Sequence, residues 1–483
     1  MQTNHSLMRL MAVFLLLPLL AGCSGKKEKN IVLSSDADLS GLTVTCTSGN
    51  YYELKYSARE DVKVFPTKSE ADAIQAVRQG LADVYVSDEV MLSREAQERL
   101  GMKMVLRGEE AFDVAFALGK GNEALMEALN AFIREAPVEE IVAHWEDGAP
   151  AVPEPDATIV PGAAPLRCIT LVNMDPVCFI GDSGQWQGMD ADLLRRFAAS
   201  QGRPFEMVFQ DMGSAVIALQ TGRADIMSGC LFVTEERKAS VDFTIPYTNC
   251  HPGYFVLDKE KNTRPGWGKR LEMNLLKENR WKLIVTGLGE TLKITFFSIL
   301  LGTLLGVGIC AAKRSRRKWH RTAAGLYGNF INGIPTLVLL LIMFYVVFVD
   351  TGLSASLVAI ITFALCFASS SGSIFHTAIS AIPKGQTEAG LSLGLTPFKT
   401  FTGIVLPQAL RKGLPLYTSD CVSLLKSTSI VGFIAVMDLT RASDLIRSRT
   451  FDAFFPLLVI TLLYFLLAWI IRRVLSLFLL KKK

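Results

Sequence analysis

Four long segments without a charged side chain constrain this 483-residue chain more than any other feature. They are residues 294–312, 325–349, 351–383 and 453–471. Each is long enough to cross the roughly 30 Å hydrocarbon core of a bilayer as a helix. A fifth segment, 414–437, contains Asp420 and Lys426, so it must face protein or a water-filled path. We therefore expect an all-α membrane domain of about five transmembrane helices.

Basic residues predict the orientation of these helices. The loop from Lys313 to Arg321 holds six Lys or Arg in nine residues, and three lysines stand at 481–483. Positive charge close to the ends of a span favours the cytoplasmic side. Five spans that start outside and finish inside satisfy both observations, and they place the loop 384–413 in the cytoplasm.

The first 23 residues have the form of an export signal. Arg9 precedes an apolar stretch at 10–20 that is too short to span a bilayer. Ala21 and Gly22 then precede Cys23 and a polar run, a pattern that resembles the lipobox of bacterial lipoproteins. The resemblance implies a lipoprotein signal peptide over 1–23, a lipid anchor at Cys23, and location of the next segment outside the cytoplasmic membrane. A plain signal peptide that contains a cysteine is the alternative.

Between residues 31 and 258 the pattern is that of an α/β protein, in which short apolar runs alternate with longer helical patterns. Strands are predicted at 42–46, 83–87, 112–118, 168–173, 205–209 and 253–257. Helices are predicted at 69–79, 123–134, 137–146, 190–201 and 213–221. A linker at 149–165, with five prolines in 17 residues, separates the halves 31–148 and 166–258. A charged juxtamembrane segment, 259–282, leads to the membrane domain at 283–475.

The cytoplasmic loop carries the most specific motif of the chain. Glu388, Ala389, Gly394, Ile404, Leu406 and Pro407 stand at the spacing E-A-A-x-x-x-G-x(9)-I-x-L-P, and Gly385 precedes them in the same loop. This pattern resembles the EAA loop of ABC importer permeases, in the form found in polar amino acid importers. Gly390 departs from the pattern, because it stands where the family has its second alanine. The resemblance implies a helical knob that docks an ATPase, and glycine at 390 costs that helix up to about 1 kcal/mol relative to alanine.

The ATPase itself is not expected in this chain. None of the Gly-Lys pairs, at 25–26, 119–120 and 268–269, follows a glycine at the spacing of a phosphate-binding loop. The family resemblance therefore implies a separate ATPase subunit and a complex with two permease copies, a homodimer in the simplest case. We expect a transport subunit that is not an enzyme and needs no cofactor or metal.

Residues 188–246 resemble the first lobe of polar amino acid binding proteins, whose pattern is G-F-D-x-D-L, G-x-x-D, T-x-E-R and D-F-x-x-P-Y. Residues 41–147 resemble the second lobe and the returning segment of that family. In the family the first lobe comes first, so the order here is reversed. The resemblance implies a two-lobed α/β domain of the type II periplasmic-binding-protein class, circularly permuted. Two degenerate tandem domains are the alternative.

The family's ligand positions carry over residue by residue. Arg237, at the T-x-E-R position, is implied to bind the α-carboxylate of an amino acid, with help from backbone amides near Gly49, Asn50 and Tyr51. Asp88 is implied to bind the α-ammonium group.

Departures from the family pattern concern the rest of the binding site. The family's Ser-Gly and hydroxyl positions are occupied by Gly229, Cys230 and Phe232, so a side-chain hydroxyl expected at the carboxylate is missing. The candidates for the side-chain pocket are Phe179, Trp186, Tyr51 and Tyr52. Five cysteines in the exported part have no metal-ligand spacing, and their disulfide state stays open.

A ligand-gated channel or a membrane-anchored amino acid sensor is the rival class. A channel would need a pore loop resembling T-V-G-Y-G, which does not occur, and a sensor would need a cytoplasmic signalling domain after the spans. The EAA loop favours the transporter. We therefore predict an amino acid ABC transporter subunit of the bacterial cytoplasmic membrane that combines substrate capture outside with the permease.

Overall fold

The computed structural model describes residues 31–92, 94–146, 159–171, 176–181, 185–258, 266–452 and 454–480. Cys23, the predicted signal peptide and most of the predicted linker lie outside these described residues. The described residues form two compact units. The first contains 31–87, 97–108 and 252–258, and the second contains the other described residues.

Strands occur only in the α/β part of the described chain. In chain order they are β1 (Thr43–Thr47), β2 (Lys63–Thr67), β3 (Val84–Asp88), β4 (Met102–Arg107), β5 (Phe112–Val114), β6 (Ala117–Leu118), β7 (Leu166–Thr170), β8 (Phe179–Ile180), β9 (Trp186–Gln187), β10 (Phe205–Phe209), β11 (Ile226–Ser228), β12 (Asp242–Phe243), β13 (Thr248–Cys250) and β14 (Pro252–Leu257). The helices of this part are α1 (Tyr51–Ser57), α2 (Glu70–Arg78), α3 (Arg94–Leu100), α4 (Glu123–Glu135), α5 (Val138–Glu146), α6 (Met189–Ser200), α7 (Met212–Gln220) and α8 (Glu235–Lys238).

Each unit is built on one five-stranded mixed sheet. The first unit has the order β2-β1-β3-β14-β4, with β1 parallel to β2 and β3, and β14 antiparallel to β4. The second has the order β10-β7-β11-β6-β12, with β7 parallel to β10 and β11, and β6 antiparallel to both neighbours. The two sheets therefore share one strand order.

The fourth position of each sheet is filled from the other half of the sequence. Strand β14 comes from the 166–258 half and lies in the sheet formed otherwise by residues before 108. Strand β6 comes from the 31–148 half and lies in the sheet formed otherwise by residues after 165. The compact units therefore do not coincide with the two halves of the sequence.

The remainder of the described chain is helical. The helices are α9 (Trp267–Leu271), α10 (Trp281–Arg314), α11 (Lys318–Gly333), α12 (Thr336–Ile342), α13 (Ala355–Ser380), α14 (Lys384–Ser392), α15 (Pro397–Thr400), α16 (Leu406–Ser427), α17 (Leu439–Thr450) and α18 (Phe454–Leu480). Short π-helical turns at Glu272–Leu276, Met343–Val347 and Phe401–Val405 and a 3-10 segment at Thr428–Ile434 continue four of these helices.

Three helices of the described chain, α10, α13 and α18, are long and apolar enough to cross a membrane. Two bent pairs bring the number to five if each pair is one span: one joins α11 to α12 at 100°, and the other joins the segment Pro397–Ile434 to α17 at 53°. The predicted span 325–349 is thus broken between Gly333 and Thr336. Pro335 accounts for the break, because proline lacks an amide proton and disfavours helical backbone in the residue before it.

Helices α10 and α13 cross at a row of small residues. A Cβ added to Gly302 would stand 2.8 Å from the Ala364 carbonyl oxygen, and one added to Gly306 would stand 3.1 Å from the Gly372 amide nitrogen. Ser298 donates to the Ile360 carbonyl oxygen across the same contact, at 3.3 Å. Small residues let two helix backbones approach closely, which is the main source of helix association in a lipid environment.

The charged residues of the predicted fifth span lie in different surroundings. Asp420 in α16 is half-buried and accepts a hydrogen bond of 2.6 Å from Ser370 Oγ in α13. Lys426, near the end of the same helix, is exposed. Asp420 therefore faces protein, as a carboxylate inside a span must.

Candidate functional site

The loop after β11 has backbone of unusual conformation. Gly229 has φ +117° and Cys230 has φ +51°, so the chain turns through the left-handed region directly after the strand ends. Such backbone costs a non-glycine residue roughly 1–3 kcal/mol and persists where surrounding contacts hold it. Cys230, which the family pattern predicted as a ligand position, is 7% exposed. The carboxylate of Asp190 supplies the contact that holds this loop.

Asp190 is fully buried near the start of α6. It accepts hydrogen bonds from the Gly229 amide, at 2.8 Å, and from the Tyr247 hydroxyl. The Tyr247 ring in turn stacks on Phe116 with 4.4 Å between ring centroids. Burial raises the pKa of the Asp190 carboxyl from 3.8 to about 6, because its hydrogen bonds only partly offset the loss of water. The sequence pattern places this residue at the first aspartate of D-x-D, but its structural role was not foreseen.

A pH dependence follows from the raised pKa of Asp190. In the unfolded chain this carboxyl titrates near its usual value of about 4, so the folded state binds the extra proton between about pH 4 and 6. The stability that this group contributes is fully present below about pH 4. It falls by roughly 3 kcal/mol as the pH rises through 6.

Asp190→Asn should remove this pH dependence of the folding stability. We therefore expect the difference in thermal midpoint, variant minus wild type, to be larger at pH 7.5 than at pH 5. Asp242→Asn is the matched control, because Asp242 is an exposed carboxylate of the same unit. A difference between variant and wild type that does not change with pH would contradict the assignment.

Arg237 lies on the short helix α8, and hydrogen bonds to nearby residues of the chain orient its backbone and side chain. The Arg237 amide donates to Thr234 Oγ1 at 3.3 Å, and Nη1 of its guanidinium donates to the Phe232 carbonyl oxygen at 3.2 Å. The side chain is half-buried. Phe232 is 3% exposed and stacks on Phe112 at 4.7 Å, so its ring belongs to the core.

Asp88 lies at the end of β3 and is 7% exposed. The next residue, Glu89, donates its amide to the His251 carbonyl oxygen at 2.9 Å. Burial raises the pKa of the Cys250 thiol, and the Asp88 charge raises it further, so these two side chains are close in space. Asp88 and Arg237 belong to the same compact unit.

Gly49, Asn50 and Tyr51 lie in the other unit, at the start of α1. Asn50 Oδ1 accepts from the Glu53 amide at 2.9 Å, and the Glu53 carboxylate accepts from the Gly49 amide at 2.5 Å. The side chains of Asn50 and Glu53 thus accept hydrogen bonds from backbone amides at the N-terminus of this helix. Tyr51 is half-buried, whereas the neighbouring Tyr52 is 2% exposed and is a core residue.

Phe179 is placed by a two-stranded hairpin, β8 and β9, that precedes α6. Its ring meets Trp145 edge to face at 5.9 Å, and the guanidinium of Arg449 lies over it at 4.6 Å. Trp186, on the second strand of the hairpin, is half-buried. Arg449 comes from α17, in the helical part of the chain, and no sequence motif indicated it.

A second contact joins the same α/β lobe to the helical part. Arg223, in the turn after α7, donates to the Phe344 carbonyl oxygen at 2.9 Å and to that of Phe348. Its guanidinium also lies over the Phe344 ring at 4.3 Å. Tyr345 donates to the Ser214 carbonyl oxygen at 3.4 Å, and apolar residues of α7 pack in one core with α12 and α13. The second unit therefore combines this lobe with the membrane helices.

The predicted coupling loop forms two helices joined by a left-handed turn. Gly394 has φ +77° and follows the end of α14, and Thr396 caps α15 through a 3.3 Å bond from the Lys399 amide. A 3.0 Å hydrogen bond from Gln408 Nε2 to Gln386 Oε1 joins α16 to α14. Of the predicted loop residues, Gly385, Glu388, Ala389, Gly394 and Pro407 are exposed, and Ile404 and Leu406 are half-buried.

The glycine that departs from the EAA pattern is the point of closest approach in this loop. Gly390 is buried, and a Cβ at this position would stand 2.5 Å from Thr400 Cγ2 and 3.0 Å from Ile404 Cδ1. Thr400 thus occupies the space that an alanine at 390 would need. The glycine at 390 therefore fits the position of the Thr400 side chain.

Gly390→Ala is therefore expected to separate α14 from α15. We expect a roughly 10-fold loss of transport, although alanine is the better helix former by about 1 kcal/mol. Adding Thr400→Ala should restore most of the activity by vacating the space. Gly385→Ala is the control, because nothing lies within 4 Å of its added Cβ. An uptake assay in which Gly390→Ala equals the wild type would contradict this packing argument.

Comparison with known proteins assigns both parts of the chain. The model of the bacterial extracellular solute-binding proteins, family 3, matches residues 166–415. A probable amino-acid ABC transporter permease, YckA of Bacillus subtilis, is 36% identical over 182 residues, which are 38% of this chain and 80% of that protein. The L-cystine transport system permease TcyB of Bacillus subtilis is 32% identical over 211 residues, which are 44% of this chain and 89% of that protein.

A solved structure, described as an amino acid ABC transporter with histidines, is 30% identical and has a TM-score of 0.40. The similarity covers 45% of this chain and 98% of that one. The two-sheeted α/β part, the membrane helices, the family model and the two Bacillus subtilis permeases define an amino acid ABC transporter protein with a solute-binding part and a permease part. The chain belongs to the bacterial extracellular solute-binding proteins, family 3, and carries an amino acid permease in the same polypeptide. It is a membrane protein whose binding domain lies outside the cell membrane.

Proposed function

We propose that this chain captures an amino acid outside the membrane and passes it through its own permease, driven by a separate ATPase subunit. The observation that carries the proposal is the second compact unit, in which a solute-binding lobe and the membrane helices share one core. A receptor and a translocator that are covalently joined and packed together do not have to find each other by diffusion.

The binding part is proposed to be one circularly permuted domain, with the segment 149–165 joining the ancestral termini. The exchange of β6 and β14 between the two sheets supports this, because each half of the sequence needs a strand from the other half. Tandem domains would be expected to complete their own sheets. The equal strand order of the two sheets supports the same view.

The ligand is proposed to be an amino acid whose carboxylate is bound by Arg237 and whose ammonium group is bound by Asp88. Two observations support this proposal: a hydrogen bond to the Phe232 carbonyl oxygen orients the Arg237 side chain, and Asp88 lies at the end of β3 and is 7% exposed. Gly49, Asn50 and Tyr51 stay proposed as ligand residues on the resemblance to the family pattern. Three buried residues are proposed to form the inner wall of the ligand site: Cys230, Phe179 and Phe232. The Bacillus subtilis relative named for L-cystine makes this amino acid the first to test.

The loop 384–413 is proposed to dock the ATPase. Its tip carries Leu393 and Phe398, which are 79% and 75% exposed, on either side of the turn at Gly394. An apolar knob at the end of two short helices suits insertion into a groove of a partner protein. Two copies of the chain, as a homodimer, and two ATPase subunits are the proposed complex. Cys23 is proposed to carry a lipid anchor after removal of the signal peptide.

The test is a binding and transport experiment on the full chain. The chain is purified with its co-expressed ATPase, reconstituted in nanodiscs, and assayed for ATP hydrolysis with L-cystine, L-glutamine and the other amino acids in turn. We expect at least one amino acid to stabilise the protein thermally and to stimulate hydrolysis. A chain that binds no amino acid and retains no ATPase would overturn the proposal.

A further inference from the structure

Arg449 lies between the β8–β9 hairpin of the α/β part and the turn that precedes α10. It belongs to the last turn of α17, and its side chain is 13% exposed. An arginine buried to this degree needs several partners, because its charge is costly to remove from water. Its partners come from two different parts of the second unit.

On the lobe side, Arg449 contacts the hairpin formed by β8 and β9. Its guanidinium lies over the Phe179 ring at 4.6 Å and donates a hydrogen bond to the Ile180 carbonyl oxygen. Trp145 contacts the same Phe179 ring edge to face, with 5.9 Å between the ring centroids. The planar guanidinium can stack face to face on the ring while its N–H groups donate, whereas an ammonium group has no plane to stack.

On the membrane side, Arg449 pairs with Glu278 at 3.1 Å. Arg280 pairs with the same carboxylate at 2.6 Å, so two guanidinium groups share one negative charge. Glu278 and Asn279 both have left-handed backbone, with φ +57° and +52°. This turn immediately precedes α10, the longest helix that could span the membrane in the described chain.

The lobe side of Arg449 is connected to the candidate ligand loop. The hairpin leads through Gly188 into α6, where Asp190 holds the Gly229 amide beside Cys230. Gly188 has φ +107°, and a Cβ there would stand 2.6 Å from the Val177 carbonyl oxygen, so this junction is tightly packed. A rearrangement of the ligand loop therefore has a continuous path of contacts to α10.

We propose that Arg449 is a positioning residue that couples amino acid binding in this lobe to α10 of the permease, through Phe179 and Ile180 on one side and Glu278 on the other. The inference rests on the proposed function. Arg449 does not touch the residues assigned to the amino acid's charged groups in any contact described above. It acts on transport efficiency rather than on affinity, and such coupling is worth about 1–3 kcal/mol in typical proteins.

The experiment measures ATP hydrolysis by the full complex in nanodiscs as a mixture of the protein amino acids and L-cystine is titrated in. For Arg449→Gln we expect the maximal stimulation to fall about 10-fold, with the half-maximal concentration within about twofold of the wild type. Arg449→Lys keeps the charge opposite Glu278 but loses the stacked plane, so its stimulation should be intermediate. Arg447→Gln is the matched control, because Arg447 pairs with Asp444 on the same helix at 2.9 Å.

A double variant tests whether Arg449 acts through Phe179, and it is assayed at saturating amino acid because Phe179 is also proposed to shape the ligand site. If Arg449 acts through Phe179, then Phe179→Leu lowers the maximal stimulation, and the pair Phe179→Leu/Arg449→Gln is no worse than Arg449→Gln alone. Full stimulation in Arg449→Gln, or additive losses in the pair, would overturn the inference while the wild-type response still supports the proposed function. A wild-type complex without any amino acid response would refute the proposed function and this inference with it.

Discussion

Replacing Arg237 with alanine is expected to lower the affinity for the amino acid ligand at least 100-fold. The guanidinium is oriented by its bond to the Phe232 carbonyl oxygen at 3.2 Å and by the turn that Thr234 caps. A charge-assisted, two-pronged contact to a carboxylate is worth about 3 kcal/mol, which is roughly a factor of 100 in affinity. Calorimetry on the full chain, with an amino acid found by thermal shift, measures this directly.

The neighbouring lysine provides the control for Arg237. Lys238 is exposed and pairs with Glu235 at 2.7 Å, so Lys238→Ala removes the same charge from the same helix without removing the candidate ligand contact. Its affinity should stay within about twofold of the wild type. Arg237→Lys should recover only part of the affinity, because an ammonium group cannot form the two-pronged contact. Equal affinity in Arg237→Ala and Lys238→Ala would remove Arg237 from the site.

Replacing Gly306 with leucine is expected to prevent stable assembly of the membrane helices. A Cβ at 306 would stand 2.2 Å from Ser371 Oγ and 3.1 Å from the Gly372 amide nitrogen, and the backbone atom cannot move away without separating the helices. Separation of α10 from α13 would also break the 3.3 Å bond from Ser371 to the Gly302 carbonyl oxygen. Overpacking of this kind costs about 3 kcal/mol or more. The expected result is loss of monodisperse protein in detergent.

Gly308 offers a matched control one half-turn along the same helix. It is exposed, and nothing lies within 4 Å of a Cβ added there, so leucine at 308 should be accepted. The comparison removes the intrinsic helix propensity of the substitution, which is the same at both positions. If Gly306→Leu gave as much monodisperse protein as Gly308→Leu, with an equal thermal midpoint, the close crossing of α10 and α13 would be refuted.

Local patterns predicted most elements of the α/β part. The predicted helices at 69–79, 123–134 and 190–201 correspond to α2, α4 and α6 within one or two residues. The predicted strand 112–118 is two short strands, since β5 pairs with β13 and β6 enters the second sheet. Strand β2 was missed because its sequence, KVFPT, is largely exposed and contains a proline. An edge strand of that kind lacks the apolar run that periodicity detects.

In the membrane part, too, some elements were predicted from local patterns and others were not. Long charge-free segments predicted α10, α13 and α18, because no water is available in a bilayer and only apolar helices satisfy their own backbone there. The break at Pro335 inside the segment 325–349 is visible in the sequence only as one proline, and its 100° angle depends on what α11 and α12 pack against. From the sequence alone, Gly390 predicts only a weakened helix. The structure shows that the Thr400 side chain fills the space beside it.

The sequence by itself determined the class of this protein, an α/β binding part joined to apolar spans, and it predicted a coupling loop at 384–413 and Arg237 and Asp88 as candidate ligand residues. These features are local, because they depend on the spacing of residues within one segment. Only the tertiary structure decided that β6 and β14 complete the sheets of the opposite halves, that Asp190 holds the loop at Gly229, and that Arg449 joins Phe179 to Glu278. Those contacts join residues up to 269 positions apart, and no local pattern encodes which distant side chain will complete a sheet or neutralise a buried charge.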